Sequence, residues 1–207
     1  MIPDVRARID AETRLLVVVA GPNGAGKSTF VETFLAGLDL RVVNPDAIAR
    51  ALSPADPGAV AYEAAAVADG VRCDLLTRGV SFCMETVFSD PEGAKLAFLR
   101  EARDRGYAVI LIFIALDSPA LAVARVIQRT EQGGHDVPDD KIATRFPRTF
   151  ANLSEALTFV DYAFLFDNSS AEEPYRLVAE LRSGRVTRRG EVQPAWWTAV
   201  RSRAKAR

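Results

Sequence analysis

Gly21-Pro22-Asn23-Gly24-Ala25-Gly26-Lys27-Ser28-Thr29 completes the pattern G-x-x-x-x-G-K-[ST], and the apolar run Leu15 to Ala20 leads straight into it. Strand, glycine loop and helix in that order make a nucleoside triphosphate the expected ligand. Gly21, Gly24 and Gly26 let the backbone curl with its N–H groups inward, and the helix beginning near Lys27 adds the positive end of its dipole where a β-phosphate would lie. Lys27 then reaches the β- and γ-phosphates as a point charge, and the Ser28 hydroxyl ligates Mg²⁺. Pro22, Asn23, Ala25 and Thr29 complete the expected nucleotide contacts. A chance glycine turn would not bring a strand before and a helix after. The glycine order G-x-x-G-x-G also differs from the G-x-G-x-x-G of dinucleotide-binding folds.

Outward from the loop, strands and helices alternate. A helix is expected from 27 to about 38, a strand over 40–43 closed by Asn44-Pro45-Asp46, and a short helix over 47–52. Residues 60–78 carry Val60, Ala64, Val67, Val71 and Leu75 at helical spacing, with Gly79 at the stop. A third strand over 81–87, a helix over 91–105 and a fourth strand over 108–116 follow. Helices over 121–132 and 139–157 flank Gly133-Gly134, and 162–166 is the last core strand. This alternation predicts an α/β P-loop fold: a five-stranded parallel sheet with helices on both faces, joined by right-handed crossovers. Residues 173–182 read as a helix, and 183–192 as either a hairpin or a loop.

The 207 residues suit one domain with a mobile lid near 125–150 and an extension near 171–207. A net charge of −1 gives no global attraction to nucleic acid or to an anionic membrane. Two cysteines and one histidine leave too few soft ligands for a zinc or iron–sulfur site, and a reducing cytoplasm is the expected setting. The charged N-terminus does not resemble a signal peptide, and no apolar run approaches membrane-spanning length. Arg201, Arg203, Lys205 and Arg207 form a basic tail after Trp196-Trp197. A solvated helix end with tryptophans packed on the body accounts for it better than a nucleic-acid contact.

Phosphoryl transfer to an alcohol needs an acceptor-orienting base and cations that arrive as water leaves. Asp46, at the end of the second strand, lies on the rim that carries the loop. It is either a base for a hydroxyl proton or an N-cap of the next helix, with Arg50 as its ion-pair partner. Glu85-Thr86 ends the third strand on the same rim and is expected to make polar contact with the acceptor. Asp117 after an apolar strand is either a Walker B aspartate or the start of a turn. Arg129, Arg145 and Arg148 sit on two helices either side of Gly133-Gly134, as a lid that closes over phosphates and substrate would need, and His135 in the hinge is either a contact to the nucleotide or acceptor or a structural loop residue.

Gly21 to Thr29, Asn44-Pro45-Asp46, Glu85-Thr86, Leu116-Asp117-Ser118-Pro119 and Gly133-Gly134-His135-Asp136-Val137-Pro138 together give the chain a resemblance to the zeta-toxin family of P-loop kinases. It spans about residues 14–170. The resemblance implies sheet order 2-3-1-4-5 and transfer of the ATP γ-phosphate to a hydroxyl of a small metabolite, for zeta toxins UDP-N-acetylglucosamine. Carried over, it makes Asp46 the general base, Lys27 and Ser28 the phosphate and Mg²⁺ ligands, Glu85 an acceptor-binding position, and Arg129 and Arg145 lid arginines. It also implies a possible antitoxin partner.

A transporter ATPase is excluded, because no Leu-Ser-Gly-Gly-Gln-type signature is present and Leu153-Ser154-Glu155-Ala156 lacks its glycines. Two alternatives to the metabolite kinase stay open. One is a nucleotide or nucleoside kinase; the other is an ATP-dependent switch acting through a protein partner.

Overall fold

Leu16, Val18 and Ala20 face one side of the central sheet and Leu15, Val17 and Val19 the other, and all six are buried. That two-sided burial is why this strand reads as a continuous apolar run and not as an alternation. The computed structural model describes residues 2–131 and 137–205, and side chains over 5–131 and 137–204. Gly133, Gly134, His135 and Arg207, which figured in the hinge and tail expectations, lie outside the described residues.

The chain runs α1 (Ile2–Asp10), β1 (Leu15–Ala20), α2 (Lys27–Phe34), β2 (Arg41–Val43), α3 (Pro45–Leu52), α4 (Ala61–Thr77), β3 (Phe82–Thr86), α5 (Ala94–Asp104) and β4 (Ala108–Ala115). It continues through α6 (Pro119–Glu131), α7 (Asp139–Ala156), β5 (Tyr162–Asp167), β6 (Arg176–Arg182), β7 (Arg185–Arg189) and α8 (Ala195–Lys205). The sheet order is β2-β3-β1-β4-β5-β6-β7, with β2 to β5 parallel and the last two strands antiparallel. The expected 2-3-1-4-5 order is therefore found, inside a sheet of seven strands and not five. Side chains of α4, α5, α8 and the C-terminal half of α7 fill the core on one face, and those of α1, α2 and α6, with Ile142 of α7, the core on the other.

The helix expected over 173–182 is instead the strand β6. Its leucines, alanine and glutamate suit a helix, but the free edge of β5 offers a ladder of unpaired backbone groups, and pairing with it decides the outcome. Ser183 and Gly184 both adopt positive φ, 47° and 74°, between the paired residues Arg182 and Arg185. Left-handed conformation at both central residues marks the two-residue turn whose twist suits a hairpin, which resolves 183–192. Trp197 and Val200 of α8 are buried, so the C-terminal extension packs on the body of the protein.

Candidate active site

The carboxyl ends of β1, β2 and β3 open into a cleft of about 970 Å³. Gly21 leaves β1 with φ 147°, and a Cβ there would lie 2.0 Å from the Ile114 carbonyl oxygen. No side chain fits where the loop turns off the sheet. Gly26 has φ 87° and caps α2; a Cβ on it would meet both the Asn168 amide nitrogen and the Tyr175 hydroxyl at 2.8 Å. The loop is thereby pressed between the sheet and residues from the far side of the chain.

Lys27 is 8% exposed, and its Nζ donates to the Pro22 carbonyl at 2.9 Å, curling back over its own loop. Burial brings its ammonium below the ordinary value, an effect opposed by the carboxylates of Glu85 and Asp46 and reinforced by Arg129. Ser28 Oγ donates to Glu85 Oε1 at 2.8 Å, and Asn44 Nδ2 donates to Glu85 Oε2 at 2.8 Å. Burial raises the Glu85 carboxyl, against the pull of Lys27 and the Ser28 hydrogen bond; Asp46 and Glu32 raise it further. A hydroxyl and a carboxylate side by side are the hard oxygen donors that Mg²⁺ prefers. Among the described residues there is no cluster of three or more His, Cys, Asp or Glu that would make a metal site without a ligand's own oxygens.

At the head of α3, the capping role open to Asp46 is taken by Asn44. Its Oδ1 accepts the backbone N–H groups of Asp46 and Ala47 at 2.8 and 3.3 Å, so Asn44 and not Asp46 caps the helix. The Asp46 side chain is exposed and lines the cleft. Thr86 lines it too, its Oγ1 accepting the Phe88 N–H at 3.0 Å. From α6 and α7, Arg129, Lys141 and Arg145 reach the same cleft, whereas Arg148 is not among its lining residues. His135 lies outside the described residues. Asp117 is exposed and away from the cleft; the carboxylate beside the loop serine comes from β3, the neighbour of β1.

Two residues that the sequence did not single out as loop supports hold the loop from behind. Asn168 Nδ2 donates to the Ala25 carbonyl at 2.9 Å and the Tyr175 hydroxyl to the Gly26 carbonyl at 2.9 Å. Asn168 Oδ1 accepts the Tyr175 N–H at 3.2 Å, which ties the pair together. The only sequence signal for this pair is the position of Asn168 at the end of the last core strand.

A mostly parallel sheet, a glycine loop between β1 and α2, and a carboxylate and the cations of α6 and α7 around one cleft define an α/β protein of the P-loop class. Within that class the chain belongs to the zeta-toxin family, whose model matches residues 4–176. Among sequences, it is 25% identical over 142 residues to an uncharacterized protein of Haemophilus influenzae, covering 69% of this chain and 99% of that protein. Among solved structures, it is similar to the AvrRxo1-ORF1:AvrRxo1-ORF2 complex with sulphate ions, at TM-score 0.72 and 16% identity over 98% of this chain and 70% of that one. It is also similar to the PezAT toxin–antitoxin system of Streptococcus pneumoniae, at TM-score 0.59 and 13% identity over 99% of this chain and 95% of that one. The AvrRxo1-ORF1:-ORF2 structure with ATP aligns at TM-score 0.70 and 17% identity, over 87% of this chain and 62% of that one. No helix among the described residues is long and apolar enough to cross a membrane.

Proposed function

We propose that the protein is a kinase that transfers the γ-phosphate of ATP to an alcohol of a small metabolite, with UDP-N-acetylglucosamine or a related nucleotide sugar as the acceptor the family suggests. The observation that carries this reading is the position of Asp46, released from helix capping by Asn44 and facing the cleft that holds Lys27 and Ser28. The acceptor oxygen bonds to the γ-phosphorus, the bond from that phosphorus to the β–γ bridging oxygen breaks, ADP leaves, and the hydroxyl proton passes to Asp46. Lys27 meets the negative charge on the β- and γ-oxygens, and Arg129 and Arg145 bring further positive charge as the lid of α6 and α7 closes. Ser28 and Glu85 would hold Mg²⁺, which supplies charge neutralisation at the transferring group.

A protein partner belongs to the proposal. Two of the structures the chain resembles are a two-protein complex and a toxin–antitoxin system. If the partner reads only nucleotide binding, Asp46→Asn keeps biological activity while Lys27→Ala abolishes it; if transfer matters, both abolish it.

The direct test is mass spectrometry of a metabolite extract incubated with the protein and γ-labelled ATP. A new phosphorylated species that disappears with Asp46→Asn is the expected result. Release of phosphate to water alone, unaffected by that substitution, overturns the proposal.

A further inference from the structure

One stripe of α4 faces the cleft: Tyr62, Ala65, Asp69 and Arg72 all line it, at spacings that return to the same side of a helix. Arg72 is only 3% exposed. Its Nη1 donates to Asp69 Oδ1 at 2.8 Å, while its Nε–H has no partner. Lys95 Nζ, from the first turn of α5, bonds to the same Asp69 oxygen. Two cations therefore converge on one carboxylate oxygen. Asp90 also lines this wall, but its two oxygens accept the backbone N–H groups of Glu92 and Lys95, each at 3.1 Å.

A buried guanidinium is ordinarily held by a fork of hydrogen bonds to a carboxylate or to several carbonyls, because leaving its N–H groups unmet forfeits their hydration. Arg72 has one such bond to a carboxylate that it must share. The wall also lies across the sheet from the phosphate loop. Side chains of α4 and α5 fill one core and those of α2 and α6 the other, so the cleft spans both layers at the sheet's rim.

We propose that Arg72 and Lys95 form a second anion site in the cleft, separate from the phosphate loop, which binds a phosphate group carried by the acceptor. Its ligand is an acceptor only if the kinase reading holds; the site itself is defined by binding. Asp69 is then the internal counter-charge that occupies the two cations until the ligand's oxygens arrive.

With the loop filled by a non-hydrolysable ATP analogue and Mg²⁺, calorimetric titrations would compare N-acetylglucosamine, its 1-phosphate and UDP-N-acetylglucosamine. At least one phosphorylated member should bind about tenfold or more tightly than the neutral sugar, the scale of a hydrogen bond to a charged group. Arg72→Met and Lys95→Met should each remove most of that advantage while affinity for the ATP analogue changes less than about twofold. Should the Arg72 variant fail to fold, Lys95, whose side chain is 22% exposed, carries the test. Asp69→Asn separates the site from a merely structural ion pair: it leaves anion binding equal or tighter, where a structural role would weaken binding of every ligand. Equal binding of neutral and phosphorylated sugars, binding of none of the three, or an advantage untouched by both methionine variants would overturn the proposal. Tight phosphate-dependent binding without transfer would sink the kinase reading and leave the site standing; transfer to a neutral sugar, indifferent to both variants, does the reverse.

Discussion

Asn168 and Ala25, 143 residues apart in sequence, are joined by a 2.9 Å hydrogen bond from a side-chain amide to a loop carbonyl. Tyr175 holds the next carbonyl, that of Gly26. In a trans peptide the C=O and the following N–H point in opposite directions, so fixing these two carbonyls against the body of the protein aims the N–H groups of Gly26 and Lys27 the other way, into the loop. The donors that would receive an anion are thus set from behind by Asn168 and Tyr175.

Asn168→Ala should weaken ATP binding about tenfold, because it frees a buried carbonyl and lets the peptide plane rock. Tyr175→Phe should have a smaller effect, since the Gly26 carbonyl also accepts the Phe30 N–H at 2.9 Å and keeps one partner. Nucleotide titrations check both. Wild-type affinity in the two variants would remove any role for this clamp.

Asp46→Asn should lower the transfer rate on the order of a hundredfold or more, the scale of a lost general base, with ATP affinity nearly unchanged. Asn44→Ala probes the support. It removes the α3 cap, worth about 1 kcal/mol, and the hydrogen bond that orients Glu85, so it should reduce both stability and rate. Single-turnover kinetics beside thermal unfolding separates the two contributions.

Burial makes Glu85 take up its proton above its ordinary 4.5. The sign is fixed by linkage: the folded chain binds this proton more tightly than the unfolded chain, so the ionised carboxylate works against the fold at neutral pH and the penalty fades as pH falls through the raised value. The stability of Glu85→Gln relative to wild type, followed by urea unfolding without metal, should therefore shift in the variant's favour as pH rises through that window. Dependence of ATP binding on Mg²⁺ should show the reverse trend in the wild type, weakening as Glu85 takes up its proton. A flat difference across the window would show that Glu85 is not the group concerned.

Residues Leu15 to Thr29 disclosed the fold because their chemistry is local: a two-sided apolar strand, a glycine loop and a helix start need no knowledge of the rest of the chain. The five parallel strands followed from the same kind of pattern. The antiparallel pair did not, since β6 forms through pairing with β5 and β7 and burial of Leu177, Val178, Ala179 and Leu181, none of which its own helix-compatible side chains disclose. Yet Ser183-Gly184 carried a turn signal that could have decided the hairpin. Asp46, Glu85, Arg129 and Arg145 were legible as positions around the cleft. Asn168, Tyr175, Arg72 and Lys95 were not legible as partners, because what each does depends on contacts made across the fold.

The clamp has a further support that can be measured as a coupling. Trp196 Nε1 donates to Asp167 Oδ2 at 2.8 Å, and Asp167, buried beside Asn168, accepts the Ser169 N–H at 3.0 Å through its other oxygen. The C-terminal helix therefore fixes the residue next to the one that grips the loop. Trp196→Phe keeps most of the ring packing against Phe113 and Phe150 but leaves the Asp167 carboxylate short of a donor, which should cost about 1–3 kcal/mol of stability. If Asn168 passes that disturbance on, ATP affinity falls as well, and the effects of Trp196→Phe and Asn168→Ala on affinity combine to less than their sum. Full additivity in that double-mutant cycle would show that α8 stabilises the fold without setting the loop.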